Sequence, residues 1–200
     1  MNIFVFGTLL SETFRRIVLG RELNSEHICT ASLKNFCVYW AEGGPFPVIV
    51  PKDGTEVHGV VLKDLNEHDI ERLNYYELGF GYVLREALVE TNDGLQDVFA
   101  YFCKSSDMAS KNLWSFDDWL TKHSEIQYLA TTEFMDFFGT KFGYTAQQMY
   151  NSILKRAEIY VKERSSLSNV IEDGPSKHAK AQVESLTVSY THLTLPTSQV

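Results

Sequence analysis

Residues Ile3-Phe4-Val5-Phe6 form an unbroken apolar run that ends abruptly at Gly7-Thr8. Four apolar residues in a row, two of them β-branched, leave no polar position for solvent, so the run reads as a buried strand. Gly7 lets the backbone turn sharply or come close to a ligand. Ser11 is placed to cap a helix over Glu12 to Leu19, and Gly20 to stop it. A strand, a small-residue loop and a helix N-terminus direct several backbone N–H groups at one spot. Such a spot suits a carboxylate, a phosphate or a developing oxyanion.

Further strand-like runs follow at short intervals: His27–Leu33, Phe36–Trp40, Pro47–Val50, Val57–Leu62, Tyr82–Val89 and Val98–Cys103. Turn signals separate them at Gly43-Gly44-Pro45, Lys52-Asp53-Gly54 and Asn92-Asp93-Gly94, the last reading as a hairpin loop. Many short strands with two small helices predict an α+β chain built on a small mixed β-barrel, not a doubly wound sheet. After Cys103 the pattern turns helical. Trp114–Gln127 and Thr132–Phe138 read as helices, and Thr145-Ala146-Gln147-Gln148 as a capping box opening a longer helix to about Arg164. The predicted organisation is a barrel over 1–104 and a helical extension over 105–164. A linker, or the start of a truncated second domain, follows over 165–187.

One helix inside the barrel region carries chemistry. Asn66 is a good N-cap, Leu65 and Ile70 are placed as a hydrophobic staple, and Asp69 holds the capping-box position. The apolar face runs through Ile70 and Leu73, and the next residue on it is Glu77. A carboxylate on an inward face is costly unless partnered or neutral. Burial raises its pKa, as a proton shuttle near neutral pH requires.

The formal net charge is −8 with no basic stripe, which argues against nucleic acid and anionic membranes as partners. No apolar run approaches the ~18 residues of a membrane span, and the chain enters its first strand without a secretory signal. Cys29, Cys37 and Cys103 lack C-x-x-C spacing, so neither a disulfide framework nor a zinc site is indicated. The expectation is a cytoplasmic protein. Residues 188–200 stand apart: Val188-Ser189-Tyr190-Thr191-His192-Leu193-Thr194-Leu195-Pro196-Thr197 resembles the translation of a transposase mosaic-end sequencing adapter. That segment is set aside from the fold argument as an artefact.

Phe6-Gly7-Thr8-Leu9-Leu10, Gly44-Pro45-Phe46-Pro47, Val57-His58-Gly59-Val60, the Leu73…Tyr76-Glu77…Tyr82…Arg85 series and Tyr101 occur in an order and spacing that resembles the gamma-glutamylcyclotransferase-like family. The resemblance covers about Met1 to Cys103. It implies a barrel with a cavity, and intramolecular acyl transfer that converts a γ-glutamyl amine to 5-oxoproline and free amine. It also implies that no metal or organic cofactor is used and that the partner is a small γ-glutamyl molecule. Carried over residue by residue, it makes Glu77 the catalytic proton shuttle and Phe6, Gly7, Thr8, Leu9, Tyr82 and Arg85 substrate-binding. The loop is Gly-Thr-Leu-Leu here, not the Gly-Ser variant of the better characterised cyclotransferases. A non-catalytic binding or regulatory module on the same barrel is the alternative. Some bacterial relatives resemble this barrel plus helices followed by a Nudix hydrolase domain, which fits the linker composition after Ser165.

Overall fold

The protein is described by a computed structural model over residues 1–172, excepting the side chains of 144 and 167–172. Its frame is a ring of five strands. Strand β1 (Ile3–Val5) pairs antiparallel with β3 (Gly44–Leu62) and parallel with β5 (Gly94–Cys103). Strand β5 pairs antiparallel with β4 (Tyr82–Thr91) along its whole length, and β4 meets β2 (Ile28–Ala41) through Ala31 and Ser32. The long β2–β3 pairing closes the ring, so the barrel is mixed, as expected. A sixth strand, β6 (Ala109–Leu113), adds to β2 beyond the ring.

The apolar run at the N-terminus has its explanation in this arrangement. Alternate residues of a strand face opposite sides. Phe4 joins an all-strand core inside the barrel with Leu33, Ile49, Val61, Val98 and Phe102. Ile3 and Val5 face a second core, where helices α1 (Glu12–Leu19), α2 (Glu67–Gly79), α3 (Phe116–Lys122), α4 (Ser124–Met135) and α5 (Gly143–Glu172) cover the outside. Strand β1 is therefore buried on both faces and tolerates no polar residue.

The two helices of the barrel region form where their caps predict. The Ser11 hydroxyl accepts from the Phe14 N–H, and Gly20 ends α1 in the left-handed region. At α2 both halves of the capping box are made: Asn66 Oδ1 accepts from the Asp69 N–H and Asp69 Oδ2 from the Asn66 N–H. Asp69 is buried, and the Arg21 guanidinium beside it holds its carboxyl below the ordinary range.

Several boundaries differ from expectation. Ile28–Leu33 and Phe36–Trp40 lie in one strand, β2, with a register shift at Asn35, which adopts positive φ, while His27 ends a 3-10 turn, Ser25–His27, ahead of it. The Lys52-Asp53-Gly54 signal makes a bulge inside β3 rather than a chain reversal. Asn35 Oδ1 accepts the Gly54 N–H, and the Thr55 hydroxyl donates to the Phe36 and Lys52 carbonyls, so the looped-out backbone is satisfied locally. The expected helix Trp114–Gln127 is two helices. Ser115 caps α3, and the chain breaks at His123 before α4, which absorbs Thr132–Met135 of the next expected helix. Helix α5 opens at Gly143, ahead of the Thr145 box, and runs past Arg164 to Glu172. Residues 165–172 are thus helical rather than linker. The remainder of the expected linker and the adapter-like segment 188–200 lie outside the described residues.

Candidate active site

The 3-10 turn Gly7–Leu10 leaves β1 and leads into α1. Gly7 has φ +65, and a Cβ there would sit 2.3 Å from Pro47 Cγ, so only glycine lets the turn press against β3. Gly59 does a similar service under β1: a Cβ would meet the Val5 carbonyl oxygen at 2.4 Å and the Phe4 ring at 2.6 Å. Both glycines belong to the motifs singled out from the sequence, and both act through close packing. From α1, Arg15 Nη1 donates to the Leu9 and Leu10 carbonyls at 2.9 and 2.7 Å, tying down the end of the turn.

This turn, β3, α2, β4 and β5 enclose a cavity of about 40 Å³ lined by Phe6, Thr8, Leu9, Tyr76, Glu77 and Tyr82 among others. Tyr82 fixes one wall by donating its hydroxyl to the Pro47 carbonyl at 2.7 Å. Tyr101 fixes another by donating to Asn74 Oδ1 at 2.8 Å. Burial pushes both phenols above their ordinary range, so they stay neutral donors. Glu77 lies on the inward face of α2 with Leu73, as the helical spacing predicted, and is 9% exposed. Among the described residues no lysine, arginine or histidine lines the cavity, and no hydrogen bond or ion pair reaches the Glu77 carboxyl. Burial alone pushes that carboxyl from its ordinary 4.5 up to about 8. The site is therefore an aromatic box around one unpaired acid that changes charge just above neutral pH.

Of the residues expected to bind, Phe6, Thr8, Leu9 and Tyr82 line the cavity, and Gly7 shapes it from behind. Arg85 does not reach it. It pairs with Ala100 on β5 whereas Tyr82 pairs with Cys103, and an odd spacing of three along β4 puts the two side chains on opposite faces. Arg85 is exposed and borders a separate recess with Phe36, Ile49 and Phe102. Conversely, Tyr76, Phe80, Phe46, Pro47, Tyr101, Phe4 and Val5 line the cavity without having been expected there. Tyr76 and Phe80 were within reach of the same argument that found Glu77, since 73, 76, 77 and 80 share one helical face.

A family model described as "Gamma-glutamyl cyclotransferase, AIG2-like" matches residues 3–121. The chain belongs to this family. The matched stretch contains β1 to β6, the whole cavity turn and Glu77. The AIG2-like protein B of Arabidopsis thaliana is 29% identical over 138 residues, covering 68% of this chain and 78% of that relative. An Arabidopsis thaliana protein solved in solution is 26% identical, with a TM-score of 0.48, covering 70% of this chain and 93% of that one. A solved structure titled gamma-glutamyl cyclotransferase is 18% identical, with a TM-score of 0.44 over 78% of this chain and 98% of that one. Among the described residues of this family member, no helix is long and apolar enough to cross a membrane.

Proposed function

We propose that the protein is a γ-glutamylcyclotransferase that converts a small γ-glutamyl amine to 5-oxoproline and the free amine, with Glu77 as proton shuttle. The observation that carries this reading is a buried carboxyl with no counter-charge among the described residues, in a cavity beside the Gly7–Leu10 turn. An incoming substrate brings the missing positive charge on its α-ammonium, which favours the ionised carboxylate. The carboxylate takes a proton from that ammonium and frees the nitrogen's electron pair. The nitrogen attacks the γ-carbonyl carbon, a C–N bond forms and the carbonyl oxygen becomes an oxyanion. Collapse breaks the original amide C–N bond. Each proton lost by the α-nitrogen is passed through Glu77 to the departing nitrogen.

The leading N–H groups of a 3-10 turn have no acceptor inside it. In this reading those of the Gly7–Leu10 turn receive the oxyanion or the substrate carboxylate. Holding the amine against the carbonyl supplies the entropic part of the rate, because the ring closure is intramolecular. The cavity volume of about 40 Å³ is far below the roughly 300–1,000 Å³ of ligand pockets, so binding requires the side chains at its open end to part. The test is release of 5-oxoproline from γ-glutamyl amines by the wild type and by Glu77→Gln. Loss of about 10²–10⁴ in kcat is expected for the variant. Equal turnover by the two proteins overturns the assignment.

A further inference from the structure

Arg15 sits near the start of α1 and is half-buried. A cation drawn partly out of water needs a partner in place of its hydration. Burial pulls the Arg15 guanidinium below its ordinary range, and the charge of Glu12 offsets part of this. Its hydrogen bonds go to backbone: a single nitrogen, Nη1, donates to both the Leu9 and the Leu10 carbonyl.

A peptide unit carries a carbonyl at one end and an N–H at the other, and a donor placed on the carbonyl strengthens that N–H. The Leu10 carbonyl shares its unit with the Ser11 N–H, which donates to the Thr8 carbonyl at 3.1 Å. The Thr8 carbonyl shares its unit with the Leu9 N–H. The Leu9 carbonyl starts a second branch. Its unit carries the Leu10 N–H, which in the i→i+3 pattern of a 3-10 turn donates to the Gly7 carbonyl, and that unit carries the Thr8 N–H. Both branches start at one guanidinium nitrogen and end on adjacent N–H groups. Those of Gly7, Thr8 and Leu9 are the three with no acceptor inside the turn. Thr8 and Leu9 are buried and line the cavity, so solvent does little to damp the polarisation that reaches them.

We propose that Arg15 is a positioning residue of the reaction: it fixes the trailing end of the Gly7–Leu10 turn and sharpens the Thr8 and Leu9 N–H groups as donors to the oxyanion. This role rests on the cyclotransferase reading above. It has a kinetic signature. Donors tuned to charge that develops in the transition state act on kcat and leave KM nearly unchanged. Removing a whole oxyanion donor costs about 10²–10³ in kcat. A hydrogen-bond chain strengthens each member by about 10–30%, so losing Arg15 should cost less, about tenfold.

The test is 5-oxoproline release from γ-glutamylpropylamide and γ-glutamylglycine by the wild type and by Arg15→Met, Arg15→Gln and Arg15→Lys, with rates expressed per folded protein. For Arg15→Met kcat should fall about tenfold with KM within about twofold. Arg15→Gln keeps N–H donors for the two carbonyls, so it preserves the fold if Arg15→Met does not, and without the charge it should still lose several-fold in kcat. Arg15→Lys keeps a cationic donor on a shorter stem and should lose less than Arg15→Gln. In 1H–15N spectra of Arg15→Gln the Thr8 and Leu9 amide protons should move upfield. Folded Arg15→Met or Arg15→Gln with kcat within about twofold of wild type overturns the role, whatever happens to Tm. A raised KM with unchanged kcat also overturns it, because the turn then holds the substrate carboxylate. Thr8 and Leu9 amide signals that stay in place overturn the relay. These results leave the cyclotransferase reading standing, whereas no 5-oxoproline from the wild type overturns both.

Discussion

Glu77→Gln should cost about 10²–10⁴ in kcat and, at alkaline pH, make the protein more stable than the wild type. The carboxyl titrates at about 8 in the folded protein against an ordinary value of 4.5. Folding therefore favours its protonated form. The contribution this makes to stability is fully present below the ordinary value, is lost progressively as pH rises between the two, and levels off beyond the higher one. Each pKa unit corresponds to about 1.4 kcal/mol, so the difference amounts to about 4–5 kcal/mol when complete. Between about pH 5 and about pH 9 the wild type should lose on the order of 4 kcal/mol relative to the Gln variant, whose amide does not titrate. In a chain of this size that is about 10 °C in Tm. Urea unfolding of both proteins at several pH values measures it directly. All other ionisable groups are shared by the two proteins, so their titrations largely cancel in the difference. Curves that run parallel across the whole range would show that Glu77 ionises as an ordinary surface carboxyl, and the proton-shuttle argument would lose its physical basis.

Gly7→Ala should destabilise the fold by about 2–4 kcal/mol, combining left-handed backbone strain with the collision against Pro47, and thermal unfolding will show it. Asp69→Ala removes the acceptor shared by Arg21 and the Asn66 N–H and should cost about 2–3 kcal/mol at neutral pH. Because the folded carboxyl titrates below 3.8, the wild-type advantage should persist above that value and vanish as pH falls through the lower folded one, a trend denaturant unfolding in acid can follow. Arg85→Ala should leave kcat/KM on γ-glutamyl amides within about twofold of wild type, since the side chain lies on the face of β4 away from the cavity; a loss beyond tenfold in steady-state assays would place it in the site after all.

What could be read in advance follows from how local each signal is. The caps of α1 and α2 are side-chain-to-backbone bonds spanning three residues, so Ser11, Asn66 and Asp69 announce them without knowledge of the rest. Glu77 was legible for a related reason: helical spacing placed it beside Leu73, and nothing nearby in sequence could neutralise it there. Strand β6 was not legible. Ala109–Leu113 has no alternating pattern, and only pairing with Tyr39 and Ala41 makes it a strand. The bulge at Lys52-Asp53-Gly54 depends on Asn35 across the sheet, so its turn chemistry was visible but not its outcome. Arg85 shows the limit of carrying a motif across: a spacing of three in a strand reverses the face, and alternation alone would have separated it from Tyr82. Phe46 and Phe80 come from different elements and meet only when β3 folds over the end of α2.

The double burial of β1 bears on when the site comes into being. Its partners are Val60–Leu62 on one side and Phe99–Ala100 on the other, so β1 is held by segments that lie about sixty and one hundred residues further along the chain. The turn that borders the cavity hangs directly from this strand. Neither core can close until β1 is clamped between them, and the cavity cannot exist before that closure. Site formation and completion of the barrel are thus one event, and a ligand held in the cavity would act as a latch on the whole barrel.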